Sequence, residues 1–130
     1  MTNVNITPLR LIRISKDLNA VQMGKIFGVS YAYISAVEKG QRKMHPDRLE
    51  LGLIELGIPY DLYRELSSFC EMIDQKNLSA QDQFKFCLIK TIGITSPDLK
   101  EQSEQLLEQF LPLEDYQKVP IIIYQYQKIQ

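Results

Sequence analysis

Histidine and cysteine are scarce in this chain, and their scarcity removes whole classes of chemistry. The 130 residues hold one histidine, His45, and two cysteines, Cys70 and Cys87. The cysteines stand apart with no metal-ligand spacing, and a single histidine cannot complete a zinc set. Each cysteine reads instead as a small buried apolar residue on a helix. Long apolar runs are missing too. None approaches the ~20 residues of a membrane span, and the N-terminus shows no basic-then-apolar leader, so a cytoplasmic protein with no membrane partner is expected. Catalytic machinery is equally absent from the pattern: there is no poised carboxylate pair, no nucleophile with its base, no glycine-rich phosphate cradle and no metal cluster. The chain is therefore expected not to be an enzyme, and no cofactor is called for.

What remains is an ordinary globular composition, 45% hydrophobic and 24% charged. The length suits one domain, or one small domain with an appendage. A helical unit of ~60 residues buries only a modest core, so the second half is expected to pack on the first or on a second copy. The net charge of −1 divides unevenly along the chain. Residues 1–60 carry eight Lys/Arg (Arg10, Arg13, Lys16, Lys25, Lys39, Arg42, Lys43, Arg48) against five acids, a balance of +3. Residues 61–130 carry seven against eleven, a balance of −4. Half of the N-terminal basic charge falls between Lys39 and Arg48. Such a local patch is what phosphate binding needs, because each neutralised phosphate releases counterions; a solvated loop is its other reading.

The periodicity predicts an all-α fold. Thr7-Pro8 opens a first helix, with Thr7 as cap and Pro8 where its missing N–H costs nothing; Leu9, Ile12 and Leu18 face inward, Arg10 and Lys16 outward. Asn19 caps a second helix through Phe27, with Met23 and Phe27 inward. Gly28 ends it, since glycine enters the left-handed region without a Cβ penalty. Ser30 caps a third helix through Lys39, on which Ile34 and Val37 point into the core. Residues 46–56 form a fourth helix on Leu49, Leu53 and Leu56, stopped by Gly57-Ile58-Pro59. Asp61 caps a fifth, to roughly Gln75, carrying Leu62, Leu66, Phe69 and Ile73. Ser79 with Asp82 reads as a capping-box-like start, with Phe84, Cys87, Leu88 and Thr91 inward and an end near Gly93. Ser96-Pro97-Asp98 starts the last helix, through Leu99, Ser103, Leu106, Leu107 and Phe110, and Pro112 ends it. The tail at residues 119–129 is β-branched and aromatic, which favours a strand, pairing with the same strand of a second subunit. A short apolar helix packed on the domain is the alternative.

A helix ended by Gly28 and restarted by Ser30 is the turn of a helix-turn-helix. Together with the Asn19 cap, Met23 and Phe27, Gly28-Val29-Ser30, Ile34-Ser35 and Glu38-Lys39-Gly40, it resembles the lambda-repressor-like (Cro or XRE) family over roughly residues 6–66. The resemblance implies a five-helix DNA-binding domain at residues 1–66, followed by a small helical extension at 67–130 for dimerisation or partner binding. It places Ser30, Tyr31, Ala32, Tyr33, Ser35 and Ala36 toward base edges, Asn19 on a phosphate, and Lys39, Arg42 and Lys43 near the backbone. It also implies a partly buried ion pair of Arg13 with Glu38.

This chain departs from the family pattern in its reading residues. No Arg, Gln or Asn occupies the base-facing positions, so discrimination per base pair should be modest and rest partly on DNA shape. Packing against a partner is the other reading of Tyr31 and Tyr33. Ala20 stands where the family often has Gln, and Gly24 permits a tight crossing of helices two and three. The loop after Gly40 is one residue longer than the commonest form. The expected function is a sequence-specific repressor of the phage or mobile-element type, binding an inverted repeat of double-stranded DNA as a homodimer. The alternative is a non-enzymatic interaction module, an antitoxin or phage-encoded inhibitor, whose acidic C-terminal half binds another protein.

Overall fold

The computed structural model describes residues 7–111, and they are all-helical: α1 (Pro8–Ser15), α2 (Ala20–Phe27), α3 (Tyr31–Glu38), α4 (Pro46–Leu56), α5 (Tyr60–Asp74), α6 (Ala80–Thr95) and α7 (Lys100–Phe110), with a 3₁₀ turn at Pro97–Leu99 before the last. The tail, whether strand or helix, and Pro112 lie outside the described residues.

Most helix starts are set by one local oxygen. The Thr7 hydroxyl accepts from the Arg10 amide at 3.4 Å, Ser30 from Tyr33 at 3.1 Å, and Ser79 from Asp82 at 3.1 Å. Each satisfies one of the orphan amides that a helix N-terminus leaves open. Asn19 does more: its Oδ1 accepts from the Gln22 amide while Gln22 Oε1 accepts from the Asn19 amide, both at 2.8 Å, a reciprocal capping box. Asp61 is not a cap. The fifth helix begins two residues earlier than that cap would set, at Tyr60 after Pro59, and Asp61 sits inside its first turn, where its negative charge is favourable beside the positive end of the helix dipole.

One core joins all seven helices. Leu9, Leu11 and Ile12 of α1, Met23 and Phe27 of α2, Ile34 of α3, Leu53 of α4, Leu66, Phe69 and Ile73 of α5, Cys87 and Ile94 of α6 and Leu107 of α7 are buried in a single cluster. Each large apolar side chain so buried is worth roughly 1.5–3 kcal/mol. The division expected after residue 66 thus falls in the middle of α5, on a residue of that cluster. Helix α6 packs along α1, α5 and α7. That return explains why Leu11, on the side of α1 away from Leu9, is fully buried.

Polar bonds fix the same crossings. Thr95 Oγ1 donates to Ser15 Oγ at 3.1 Å, tying the end of α6 to the end of α1. Ser103 Oγ donates to the Ile89 carbonyl at 2.7 Å, tying α7 to α6. Gly93 does not end α6, which runs on to Thr95. It is instead where α7 comes close: a Cβ there would stand 2.7 Å from Ser103 Oγ.

Candidate nucleic-acid interface

The α2–α3 corner is built from two glycines with different tasks. Gly28 ends α2 at φ 70°, in the left-handed region, and the Val29 amide closes back on the Gly24 carbonyl at 2.9 Å. Gly24, one turn earlier and buried, lets the chain turn tightly against α2. A Cβ there would lie 2.6 Å from the Val29 carbonyl oxygen. The crossing expected at Gly24 is therefore an approach of the turn itself, just ahead of α3.

The inner face of α3 is held by Ile34, fully buried, and by Glu38. Arg13 meets Glu38 through two parallel bonds, Nε to Oε2 at 2.7 Å and Nη2 to Oε1 at 2.9 Å, and gives Nη1 to the Leu18 carbonyl at 3.1 Å. The side chains are 21% and 7% exposed. The bond to Glu38 raises the Arg13 pKa against the opposing effect of burial, so the guanidinium is permanently charged. Thr7 adds a bond from its hydroxyl to the Glu38 carbonyl at 3.4 Å. Helix α3 is thus pinned to α1 at its C-terminal end.

The outer face of α3 is open. Ser30, Tyr31 and Ala32 are exposed, Tyr31 at 63%, while Tyr33, Ser35 and Ala36 are half-buried. Tyr33 is not a free finger. The Arg42 guanidinium lies 4.2 Å from its ring centre, and its hydroxyl accepts from the His45 amide at 3.3 Å and reaches the Lys43 carbonyl at 3.5 Å. Its first task is to hold the loop between α3 and α4 against α3. Asn19 has its Oδ1 committed to its own helix, which leaves the Nδ2 group for any further contact.

Lys39, Arg42 and Lys43 are exposed on that loop. A further basic residue joins them. Arg48, on the first turn of α4, has Nη1 so placed that a Cβ on Gly28 would stand 2.6 Å from it. The guanidinium therefore lies over the α2–α3 turn. Val29, Tyr33, His45, Asp47, Arg48 and Leu51 line a shallow open depression between α3 and α4. No sequence signal could pair Arg48 with Gly28 beyond its charge, because the pairing depends on where α4 crosses.

No group of three or more His, Cys, Asp or Glu among the described residues could hold a metal ion. Cys70 and Cys87 are both buried, and the hydrogen bond to Cys87, followed by burial, pushes the Cys70 thiol well up. A thiol kept protonated in this way is a poor nucleophile. No described helix is long and apolar enough to cross a membrane. No family model matches the chain, and no curated protein or solved structure matches it either.

Proposed function

We propose that this chain is a sequence-specific DNA-binding regulator of the helix-turn-helix kind, in which α2 lies across the duplex backbone and α3 enters the major groove. One observation carries the reading. The exposed N-terminal turn of α3, Ser30-Tyr31-Ala32, is flanked by two guanidiniums, Arg48 over the turn at Gly28 and Arg42 over Tyr33. A short helix offering small and hydroxylated side chains between two cations suits a groove bounded by phosphates.

On this reading Arg42, Arg48, Lys39 and Lys43 grip phosphates, and the Asn19 Nδ2 adds a further backbone contact. Tyr31, Ser30 and Ala32 meet base edges, where alanine can press on a thymine methyl and a hydroxyl can serve either a base or a phosphate. Ser35 and Ala36 lie deeper along the same helix. Five helices, α1 to α5, make the lambda-repressor-like unit, and a homodimer on an inverted repeat is the form that doubles so small a reading surface.

Selection from random-sequence duplexes in moderate salt tests this directly. A palindrome with half-sites about one helical turn apart is the expected product. Binding that enriches no sequence and vanishes with salt would reduce α2–α3 to a scaffold and return the alternative, a protein partner for the acidic half.

A further inference from the structure

We infer that the cavity between α5, α6 and α7 is a binding site for a small zwitterion with an apolar side chain, of the free α-amino-acid class. The cavity measures about 190 Å³, larger than the ~150 Å³ that accommodates a benzene ring in an engineered protein core. It lies away from α2, α3 and the basic loop, and the DNA reading makes no use of it.

Its walls are of two kinds. Leu62 and Ile94, with the bare backbone of Gly93, supply an apolar surface. Into the same space come Lys90 and Glu65, whose Nζ and Oε2 are 3.0 Å apart and whose side chains are only 6% and 14% exposed. The Lys90 ammonium also lies 5.7 Å from the Phe69 ring centre. An ammonium has three donors and a carboxylate about four acceptor sites, so this contact does not exhaust either group. Buried ion pairs are weak devices for stability, and apolar replacements of similar volume commonly serve as well or better. A lysine and a glutamate brought to the wall of an apolar cavity are therefore better explained by what they can meet there.

Charge selects the ligand. Lys100 and Glu104 also line the cavity, Lys100 exposed and Glu104 half-buried, so that the site holds two groups of each sign. A lone carboxylate would approach Glu65 as well as Lys90, and a lone amine would meet the reverse conflict. A molecule carrying both charges on one carbon can set its carboxylate to Lys90 and its ammonium to Glu65. Its side chain then covers Leu62 and Ile94. The volume fits a branched aliphatic chain or a single ring.

The test uses the full chain, labelled with nitrogen-15, titrated with L-leucine, L-phenylalanine, 4-methylpentanoate and 3-methylbutylamine. Saturable shifts of the Gly93 and Ser103 amides are expected with the amino acids and not with the two singly charged analogues. Leu62→Phe fills the cavity from a half-buried position, and the expected result is loss of the response with the fold intact. Lys90→Met combined with Glu65→Leu removes both charges, leaves neither unpaired, and should abolish the amino-acid response as well. Silence of the wild-type amides to both amino acids overturns the site. Equal binding of either analogue overturns the zwitterion assignment, and shifts that survive Leu62→Phe place the ligand elsewhere. None of these readouts involves DNA, so this site and the DNA interface stand or fall separately.

Discussion

The Arg13–Glu38 and Lys90–Glu65 ion pairs are both largely buried, and they are made in opposite ways. Arg13 and Glu38 meet face to face through two bonds, and the third guanidinium nitrogen is taken by the Leu18 carbonyl. Lys90 Nζ and Glu65 Oε2 meet at 3.0 Å at the wall of a cavity. A planar guanidinium on a carboxylate fixes distance and orientation together, whereas an ammonium is a point charge on a flexible stem. The first pair thus sets where α3 lies on α1. The second holds two charges available in a space that apolar residues could have closed.

The largest effects should come from breaking the first pair. Glu38→Gln or Arg13→Met leaves a charge without its partner in a mostly buried place, and a loss of about 3–5 kcal/mol is expected by urea denaturation. Wild-type stability in either variant would show that α3 is positioned by Ile34 and the Thr7 bond alone. At the second pair the prediction runs the other way. Lys90→Met with Glu65→Leu should leave stability unchanged or raise it by about 1–4 kcal/mol. A marked loss would mean that this pair is structural after all, and the contrast between the two would collapse.

A middle-sized effect tests the corner that carries α3. Gly24→Ala drives a Cβ against a backbone carbonyl that has no rotamer in which to yield. Overpacking of this kind costs about 1–3 kcal/mol, set against the up to ~1 kcal/mol of helix propensity that alanine returns. The expected net result is destabilisation, read by thermal melting. A gain would show that the turn is free to open away from α2.

The features that were legible in the sequence are those decided within four residues. Thr7, Asn19, Ser30 and Ser79 cap as their spacing says, because a cap needs only its own oxygen and an amide two or three residues on. Gly28 and Gly57 stop their helices for the same local reason. Asp61 misled because Pro59 already gives the backbone a turn from which the helix can begin. What could not be read depends on contacts between distant helices. Leu11, which is not among the inward positions that the period predicts, is buried because α6 returns along α1, and Gly93, where the pattern predicts the end of α6, makes room for Ser103. Tyr33 shows both limits at once: its place on the outer side of α3 follows from period, but its bond to the loop at His45 depends on how that loop folds back.

The smallest effects concern single cations at the proposed interface, and there the two guanidiniums differ from each other. Arg42 stacks on Tyr33, so it is held even without DNA, while Arg48 projects over the turn from another helix. Each phosphate contact removed should lower the slope of log K against log salt by about 0.9. Arg42→Ala and Arg48→Ala should each do so while the selected sequence stays the same, because a phosphate carries no base identity. Tyr31→Ala should change the preferred bases and leave the slope alone. Tyr33→Phe offers the sharpest distinction: it keeps the ring under Arg42 but removes the hydroxyl that holds the His45 amide. If Tyr33 serves the loop, this change weakens binding to every duplex alike; a change confined to one base position would return Tyr33 to the reading surface.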